Sequence, residues 1–469
     1  MKVFHFSAEC YPLAKVGGLA DVVGALPKYQ NRTGLESSVV MPYYESIRIS
    51  EDFLSQIHES TLVLDKVSFE VIIYKYADPA LGFDIFLVKV DSLTNRENVY
   101  GYDDDPKRFI AFQRAALEWI IMLDDLPDIV HCHDHHSGLI PFMMTKTVQF
   151  ELLQSIPTIL SIHNAQYQGS FEHELSVLLP QFASKYKNLL DWAGLINPLA
   201  TAIKLAWQVT TVSPTYLKEL QQKANGLEGL LTHESDKCVG ILNGIDRETW
   251  NPNTDEYLYE NYSAKTFKKG RKVNKLRLCE DFGLDPGMPL FGFIGRLVWE
   301  KGADLLPAAI EKTIIANDMN VILLGSGFAD VEEQFKLLKK KFPDKLGLFI
   351  GYKEDLSHKI YAGADFLLMP SRVEPCGLNQ LYALAYGCMP IVRRTGGLQD
   401  TIIDIGDDGL GICHDEASVE DIVHSIERAL EIYNNKRRFS QIQKRMMQVD
   451  HSWENSAKQY ASIYQSLNA

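Results

Sequence analysis

Residues 371–400 combine an acid, a cysteine, two adjacent arginines and two glycine-containing turns in one short span. The segment SRVEPCGLNQLYALAYGCMPIVRRTGGLQD places Glu374 and Cys376 in one turn and residues 395–397 in another, each between an apolar run and a helical stretch. Turns of this kind lie at the carboxyl ends of parallel strands, where open α/β sheets bind ligands. A helix that begins there offers unpaired N–H groups and a partial positive charge to an anion. We therefore expect a site for a phosphorylated, hydroxyl-rich ligand.

A Gly-Gly-Leu-x-Asp motif follows a basic residue twice, at residues 15–21 (KVGGLAD) and at residues 394–400 (RTGGLQD). Paired glycines let a ligand approach the backbone closely, and an Asp suits the first turn of the next helix. Either motif alone is also consistent with a simple helix-entry turn, because short glycine motifs are weak evidence. Their joint occurrence favours two halves that face one ligand cleft.

Two cations follow the apolar run LFGFIGR at residues 290–296. Arg296 ends this run, and Lys301 lies five residues later. A strand end and the next loop can bring two such cations to one diphosphate, and the stabilised diphosphate then leaves more easily without a metal ion. The alternative is a surface Arg and a Lys paired with Glu300. The first strand leads into neither the dinucleotide fingerprint G-x-G-x-x-G nor the phosphate loop G-x-x-x-x-G-K-S/T.

The histidine-rich segment HCHDHH at residues 131–136 contains several types of metal ligand. On a strand, its first and third residues share a face and the cysteine opposes them, and the usual zinc-binding spacings are missing. The pattern therefore favours a strand end that presents Asp134 to the cleft over a metal site. His163 and Asn164 end the run TILSIHN in the same way, and a buried core histidine remains the alternative there.

Short apolar runs alternate with helical stretches along the 469 residues. Continuous apolar strands belong to parallel sheets that are covered by helices on both faces. A chain of this length suggests about two or three domains, and the polar segment 251–277 predicts a domain junction. The sequence thus predicts an α/β protein with two doubly wound parallel-sheet domains. The predicted strands are 2–7, 38–41, 129–133, 158–162, 209–213, 239–242, 290–295, 321–325, 348–351, 366–370, 390–393 and 410–413.

The composition limits the partners and the compartment. A net charge of −14 and a pI near 5.4 argue against nucleic acids and anionic membranes as partners. Seven cysteines without a C-x-x-C pair suit a reducing compartment. The first apolar run is broken by His5 and Glu9, which is untypical of a signal peptide, and no run approaches the about 18 apolar residues of a membrane span. We expect a cytoplasmic protein; the sequence leaves its oligomeric state open.

In their order along the chain, these motifs resemble the bacterial glycogen synthases and plant starch synthases, which are retaining glycosyltransferases with a GT-B fold. The resemblance implies two Rossmann-like domains with the site in the cleft between them. Residues 1–245 would form the acceptor-side domain, residues 246–450 the nucleotide-sugar-binding domain, and residues 451–469 a terminal helix that packs back toward the N-terminal domain. The resemblance covers nearly the whole chain. It rests on KVGGLADVVGALPK, HDHHSGLIP, HNAQYQG, TVSPTY, ILNGIDRETWNP, GFIGRLVWEKGADLL and the segment 371–400.

The resemblance implies transfer of glucose from ADP-glucose to the non-reducing 4-hydroxyl of an α-1,4-glucan such as glycogen, with retention and without a metal or other cofactor. The nucleotide and the acceptor length stay open. One alternative is another retaining nucleotide-sugar glycosyltransferase that makes a small glucoside. The other is a non-catalytic glucan-binding paralogue, which would be expected to lose the charged residues Lys15, Arg296, Lys301 and Glu374 that this chain retains.

Matched by position, the resemblance implies roles for individual residues. Catalytic roles fall to His163, Glu374, Arg296, Lys301 and Asp134. Substrate-binding roles fall to Lys15, Gly18, Asp21, Asn164, Asn243, Tyr352, Cys376, Gly377, Leu378, Asn379, Thr395, Gly396 and Gly397. Two positions depart from the family pattern: His135 stands where bacterial members often have Trp, and Tyr382 where related transferases have a second Glu.

Overall fold

The computed structural model describes residues 1–468, which divide into two compact units. The N-terminal unit comprises Met1–Asn243 together with the helix that begins at Trp453, and the C-terminal unit comprises Gly244–Ser452. The polar segment 251–277 belongs to the C-terminal unit. None of the helices in residues 1–468 is long and apolar enough to cross a membrane.

Within the described residues, the N-terminal unit is built on a nine-stranded sheet with the order β11-β10-β7-β6-β1-β2-β5-β4-β3. The strands from β11 to β5 in this order run parallel, and β4 pairs antiparallel with both β5 and β3. The strands of this unit are β1 (Lys2–Phe6), β2 (Glu36–Pro42), β3 (Leu54–Leu64), β4 (Val67–Tyr76), β5 (Ile85–Val90), β6 (Ile129–His133), β7 (Thr158–Ile162), the short pair β8 (Asp191–Trp192) and β9 (Leu195–Ile196), β10 (Gln208–Thr211) and β11 (Cys238–Gly240).

Helices cover the faces of this sheet. They are α1 (Gly18–Arg32), α2 (Asp105–Ile120), α3 (Ile140–Lys146), α4 (Lys187–Leu190), α5 (Pro198–Leu205), α6 (Pro214–Leu220), α7 (Glu228–His233) and, at the end of the chain, α16 (Trp453–Leu467). Helix α16 buries Trp453, Tyr460 and Tyr464 beside α1 and the strands β1 and β6. Burial of each large side chain contributes about 1.5–3 kcal/mol, so this helix is an integral part of the N-terminal unit.

The C-terminal unit contains a parallel six-stranded sheet with the order β14-β13-β12-β15-β16-β17 among the described residues. Its strands are β12 (Leu290–Ile294), β13 (Asn320–Gly325), β14 (Leu346–Ile350), β15 (Phe366–Met369), β16 (Met389–Arg393) and β17 (Ile412–His414). Its helices are α8 (Phe267–Phe282), α9 (Leu306–Ala316), α10 (Ala329–Lys341), α11 (Glu354–Gly363), α12 (Asn379–Tyr386), α13 (Gly396–Thr401), α14 (Val419–Asn434) and α15 (Lys436–Met446).

The predicted α/β class with two parallel-sheet domains is confirmed, and every predicted strand overlaps an observed one. The strands β3, β4 and β5 and the short pair β8 and β9 were not predicted. Exposed and buried residues alternate along β3 and β4, because this antiparallel hairpin lies at the edge of the sheet. A search for continuous apolar runs finds central parallel strands and passes over such edge strands.

Candidate active site

In the C-terminal unit, the predicted binding residues follow the carboxyl ends of parallel strands. Arg296 and Lys301 follow β12, Tyr352 follows β14, and the turns that begin at Glu374 and Thr395 follow β15 and β16. Because these strands are parallel, their carboxyl ends lie at one edge of the sheet, where α/β proteins place ligands.

Lys301 and Glu374 form a close ion pair at this edge. The Lys301 Nζ atom lies 2.7 Å from both carboxylate oxygens of Glu374, which is only 6% exposed. The hydroxyl of Ser371 donates a further hydrogen bond of 2.9 Å to the carboxylate. Three contacts to two oxygens fix the orientation of the acid. Lys301 is thus paired with Glu374 and not with Glu300, which was the alternative considered above.

Arg296 differs from Lys301 in having no internal partner. Its side chain is exposed, and no residue in the range 1–468 forms an ion pair or hydrogen bond with its guanidinium. A guanidinium keeps its charge at all physiological pH values and matches the geometry of phosphate oxygens. Arg296 is therefore available to an anion without breaking an existing contact.

The two turns of residues 374–377 and 395–397 pack directly against each other. A Cβ atom added to Gly396, which has a φ of +42°, would lie 2.1 Å from the carbonyl oxygen of Glu374. A Cβ added to Gly397 would lie 2.1 Å from the carbonyl oxygen of Cys376. Glycine at these two positions is therefore required by internal packing, whether or not a ligand also approaches them.

The first of these turns also presents backbone donors. Gly377 has a φ of +72°, and within residues 1–468 no acceptor receives the N–H groups of Gly377 and Leu378. Asn379 begins α12 and donates through Nδ2 to the carbonyl of Ile294 at 2.8 Å, which ties this turn to the end of β12. The thiol of Cys376 is buried, so this residue is suited to contribute its backbone.

Internal packing does not explain the glycine pair of the N-terminal unit. A Cβ atom added to Gly17 or Gly18 would meet no protein atom within 4 Å, and neither residue has a positive φ. Packing within the unit thus does not require glycine here, whereas a ligand close to the backbone would. Asp21 lies in the first turn of α1, as predicted, whereas Asp400 lies near the end of the six-residue helix α13, so the expected first-turn position is wrong for Asp400.

Lys15 and Glu9 order the loop that precedes α1. The Lys15 Nζ atom lies 2.7 Å from Asp21 and 5.2 Å from the centre of the Tyr11 ring. The buried carboxylate of Glu9 accepts the N–H groups of Val16 at 2.6 Å and of Gly17 at 2.8 Å. The second oxygen of Glu9 accepts the hydroxyl of Tyr100 at 2.8 Å.

Glu9 was not among the predicted site residues, although the sequence contains a signal for it. An acid directly after a buried strand must find partners if it is buried itself. The backbone N–H groups of the glycine loop are those partners. Glu9 therefore holds the segment that carries Lys15 and Gly18.

Asp134 and His163 meet where β6 and β7 end. The Asp134 carboxylate accepts the backbone N–H of His163 at 2.7 Å and that of Asn164 at 3.4 Å. Burial raises the pKa of Asp134 to about 7, and the two N–H donors only partly offset this effect. Asp134 has a φ of +54°, a strained value for a residue other than glycine and one that is frequent at functional sites.

His163 is buried and its imidazole is neutral. Burial lowers the pKa of His163 to about 3, and its Nε2 atom lies 2.9 Å from Nδ1 of His133. Asn243, the last residue of this part of the N-terminal unit, has a buried side-chain oxygen without a hydrogen-bond partner in residues 1–468. An unsatisfied buried acceptor costs about 1–3 kcal/mol, so a hydrogen-bond donor that reached this oxygen would be stabilising.

The structure places the remaining positions clearly. Tyr352 is 72% exposed, and its hydroxyl donates to Glu354 at 3.1 Å. Tyr382, at the position of the second Glu, is buried and stacks on Trp250 with ring centres 3.8 Å apart. The ring centres of His135 and His136 lie 3.7 Å apart with the rings tilted by 38°, and burial lowers the pKa of His135 to about 4. Tyr382 is thus part of the core.

Two family models match the chain. Residues 2–233 match the starch synthase catalytic domain, and residues 276–446 match the glycosyl transferases group 1. A glycogen synthase of Flavobacterium johnsoniae is 50% identical over 466 residues, which cover 99% of this chain and 98% of that protein. A glycogen synthase of Geobacillus thermodenitrificans is 36% identical over 100% of this chain and 98% of that protein.

Solved structures agree with these matches. The catalytic domain of starch synthase IV from Arabidopsis thaliana, bound to ADP and acarbose, superposes with a TM-score of 0.93 at 32% identity, over 100% of this chain and 99% of that one. A sucrose-phosphate synthase from Thermosynechococcus elongatus, at 16% identity and a TM-score of 0.63, shares the fold. The resemblance that the motifs suggested is confirmed, as is the GT-B fold. The chain belongs to the glycogen and starch synthase family, and it is a glycosyltransferase.

Proposed function

We propose that the chain transfers glucose from ADP-glucose to the 4-hydroxyl at the non-reducing end of an α-1,4-glucan, with retention at the anomeric carbon. The unpaired Arg296 and the Lys301–Glu374 pair, which follow strand ends at one edge of the sheet, carry this proposal, because a diphosphate needs a cation and a sugar needs a carboxylate. ADP as the nucleotide is supported by the solved starch synthase IV, which is bound to ADP.

The C-terminal unit binds the donor in this proposal. Arg296 and Lys301 contact the diphosphate, and the free N–H groups of Gly377 and Leu378 contact donor oxygens. Positive groups that are already in place stabilise the negative charge that grows on the leaving diphosphate. Thr395, Gly396 and Gly397 lie near the phosphates, and the exposed side chain of Tyr352 stacks on the base. Asn379 and Cys376 hold the shape of the sugar-binding turn.

Glu374 accepts hydroxyl groups of the glucose. Its carboxylate already receives Lys301 and Ser371, so a bound sugar shares these oxygens or replaces a donor. Lys301, released in part from the acid, then reaches a phosphate oxygen. This exchange couples sugar binding to the placement of the second cation.

Residues of the N-terminal unit complete the site in the proposal. Lys15 and Gly18, with Asp21 as the partner of Lys15, bind the donor, and Asn164 and Asn243 provide hydrogen bonds to substrate. His163 contacts the glucose near the reacting carbon, and Asp134 lies near donor and acceptor. The N-terminal unit binds the glucan end.

The proposed chemistry uses no protein nucleophile. The bond between the anomeric carbon and the phosphate oxygen breaks while the acceptor 4-oxygen bonds to that carbon on the same face. The leaving phosphate oxygen takes the proton of the acceptor hydroxyl, so charge and atoms balance. The protein contributes position and electrostatic stabilisation.

All seven cysteines are unpaired, which supports a reducing compartment, and we propose the cytoplasm.

Release of nucleoside diphosphate tests this function. ADP-glucose and UDP-glucose are each assayed with glycogen and with free glucose as the acceptor. We expect release from ADP-glucose that depends on glycogen, with an α-configured product. Equal rates with free glucose would favour a transferase that makes a small glucoside, and no release with any acceptor would favour a non-catalytic glucan-binding protein.

A further inference from the structure

A stripe of buried polar side chains crosses one face of the N-terminal sheet behind His163. His5 on β1 is paired in register with His131 on β6, and His133 is paired with Ser161 on β7. Alternate residues of a strand share a face, so His133 follows His131 and His163 follows Ser161 on this side of the sheet. Helices α1 and α16 cover the stripe with Gln30 and Tyr464.

Three imidazoles of this stripe form one line of hydrogen bonds that ends on an amide. His163 Nε2 lies 2.9 Å from His133 Nδ1, and His133 Nε2 lies 3.0 Å from His5 Nδ1. The His5 Nε2 atom lies 2.8 Å from the side-chain oxygen of Gln30. The three histidines and the glutamine are buried.

The direction of the protons along this line follows from its last member. The Gln30 oxygen can only accept, so His5 carries its proton on Nε2. Burial lowers the pKa of His5 to about 4 and that of His133 well below its ordinary value, so each ring holds a single proton. The unprotonated Nδ1 of His5 then accepts from His133 Nε2, and the Nδ1 of His133 accepts from His163 Nε2.

The Gln30 amide is held by contacts with distant parts of the chain. Gln30 Nε2 donates to the Tyr464 hydroxyl at 2.8 Å across 434 residues of sequence, and its oxygen also accepts the Ser37 hydroxyl at 2.7 Å. The Tyr464 hydroxyl also lies 2.8 Å from His131 Nδ1. The terminal helix thus helps to hold the amide whose oxygen faces His5.

This cluster is not suited to a metal ion. Ring nitrogens of His5, His131 and His133 lie within 4.8 Å of one another, a spacing that invites such a reading. Every ring nitrogen of the three residues already has a protein hydrogen-bond partner, since His131 Nε2 bonds Ser161 at 2.7 Å. A metal needs free lone pairs, and it would have to break these bonds in a closed interior.

We propose that His133, His5 and Gln30 are positioning residues that hold His163 in the tautomer with its proton on Nε2. In this tautomer the Nδ1 atom, for which no hydrogen bond is present within residues 1–468, presents a lone pair that accepts a hydroxyl group. That the hydroxyl belongs to the donor sugar rests on the proposed function. The opposite tautomer would present an N–H group and would need a different partner.

The ring nitrogens of the unmodified protein provide the first test. Protein with ¹⁵N in its histidine rings is measured by NMR at neutral pH, and the His163 signals are identified by their loss in His163→Gln. We expect a proton on Nε2 and a bare Nδ1 at His163, His133 and His5. A proton on Nδ1 of His163 overturns the proposal.

A matched pair of variants provides the second test. His5→Leu removes the acceptor for His133, whereas His131→Leu removes an equally buried imidazole from the same face and leaves the line intact. For His5→Leu we expect mixed tautomers at His163 and a KM for the nucleotide sugar that rises roughly two- to tenfold, the value of one hydrogen bond. Inhibition by free ADP, which lacks the sugar, should stay unchanged.

The outcomes separate the two proposals. Equal effects of both variants on the His163 tautomer and on KM would mean that the stripe is only structural, and the proposal fails. If His5→Leu does not fold, the spectrum of the unmodified protein decides alone. An enzyme without glucan-dependent transfer would refute the proposed function, while the tautomer measured in the free protein would still test the positioning line.

Discussion

Lys301 is bound to the buried carboxylate of Glu374 through both of its oxygens at 2.7 Å, whereas Arg296 on the same strand end has no partner among the described residues. The sequence predicts the same role for both cations, but their contacts in the structure imply different contributions to stability. Lys301 compensates a buried charge, whereas Arg296 compensates no charge of the protein, and we propose that it binds the charge of the donor.

Alanine variants of these cations should separate activity from stability. We expect Arg296→Ala and Lys301→Ala each to lower kcat/KM at least about tenfold, because each loses a charge-assisted contact of about 1.5–3 kcal/mol. Only Lys301→Ala should also lower the free energy of unfolding, by about 1–3 kcal/mol, because Glu374 is left buried without its cation. Urea denaturation and steady-state kinetics measure the two effects. Equal stabilities of both variants would contradict this division.

The two glycine pairs should respond oppositely to alanine. Gly18→Ala adds a methyl group in open space, so the fold should be unaffected while the KM for the donor rises. Gly397→Ala places a methyl group against the Cys376 carbonyl and should cost about 1–3 kcal/mol of stability. Thermal unfolding and donor saturation curves measure the pair. A Gly18→Ala enzyme with unchanged kinetics would show that no ligand approaches this loop closely.

Glu9 should act through the loop that it holds. Glu9→Gln keeps the shape of the side chain but removes the charge that accepts the N–H groups of Val16 and Gly17, so we expect the donor KM to rise several-fold, for a loss of about 1 kcal/mol. Glu45→Gln, an exposed acid of the same unit, is the control and should have no effect. Indistinguishable kinetics of the two variants would contradict a role of Glu9 in donor binding.

Asp134 should make stability depend on pH in a defined direction. Its pKa is raised from 3.8 to about 7, so between these values the folded state keeps a proton that the unfolded state has lost. Its contribution is therefore complete at low pH and is lost as the pH rises toward 7. Asp134→Asn resembles the protonated acid at every pH.

The comparison that tests this effect is the difference in unfolding free energy between the parent protein and Asp134→Asn. We expect the parent to lose at least about 1 kcal/mol relative to the variant between pH 4 and pH 7, since one pKa unit corresponds to about 1.4 kcal/mol. Denaturant titrations at several pH values measure it. A difference that is flat with pH, or one that grows in favour of the parent, would contradict the raised pKa.

The sequence predicts those parts of the molecule that depend on local pattern. The parallel strands are continuous apolar runs, and Arg296, Lys301 and Glu374 follow directly at their ends, so their clustering was predictable. The β3–β4 hairpin was missed because its edge position gives it an alternating pattern.

Contacts between segments that are far apart in the sequence could not be predicted from it. The line from His163 to Gln30 depends on the register of β1 against β6, and its last member is in contact with Tyr464, 434 residues away in the sequence. The role of Glu9 likewise depends on how the glycine loop folds back over β1. Neither arrangement leaves a local signature in the sequence.

A crystal structure of the protein with ADP-glucose tests the central claim most directly. We expect the diphosphate to contact Arg296 and Lys15, and we expect glucose hydroxyls to contact Glu374. A nucleotide sugar bound remote from Lys15, Arg296 and Glu374 would contradict it.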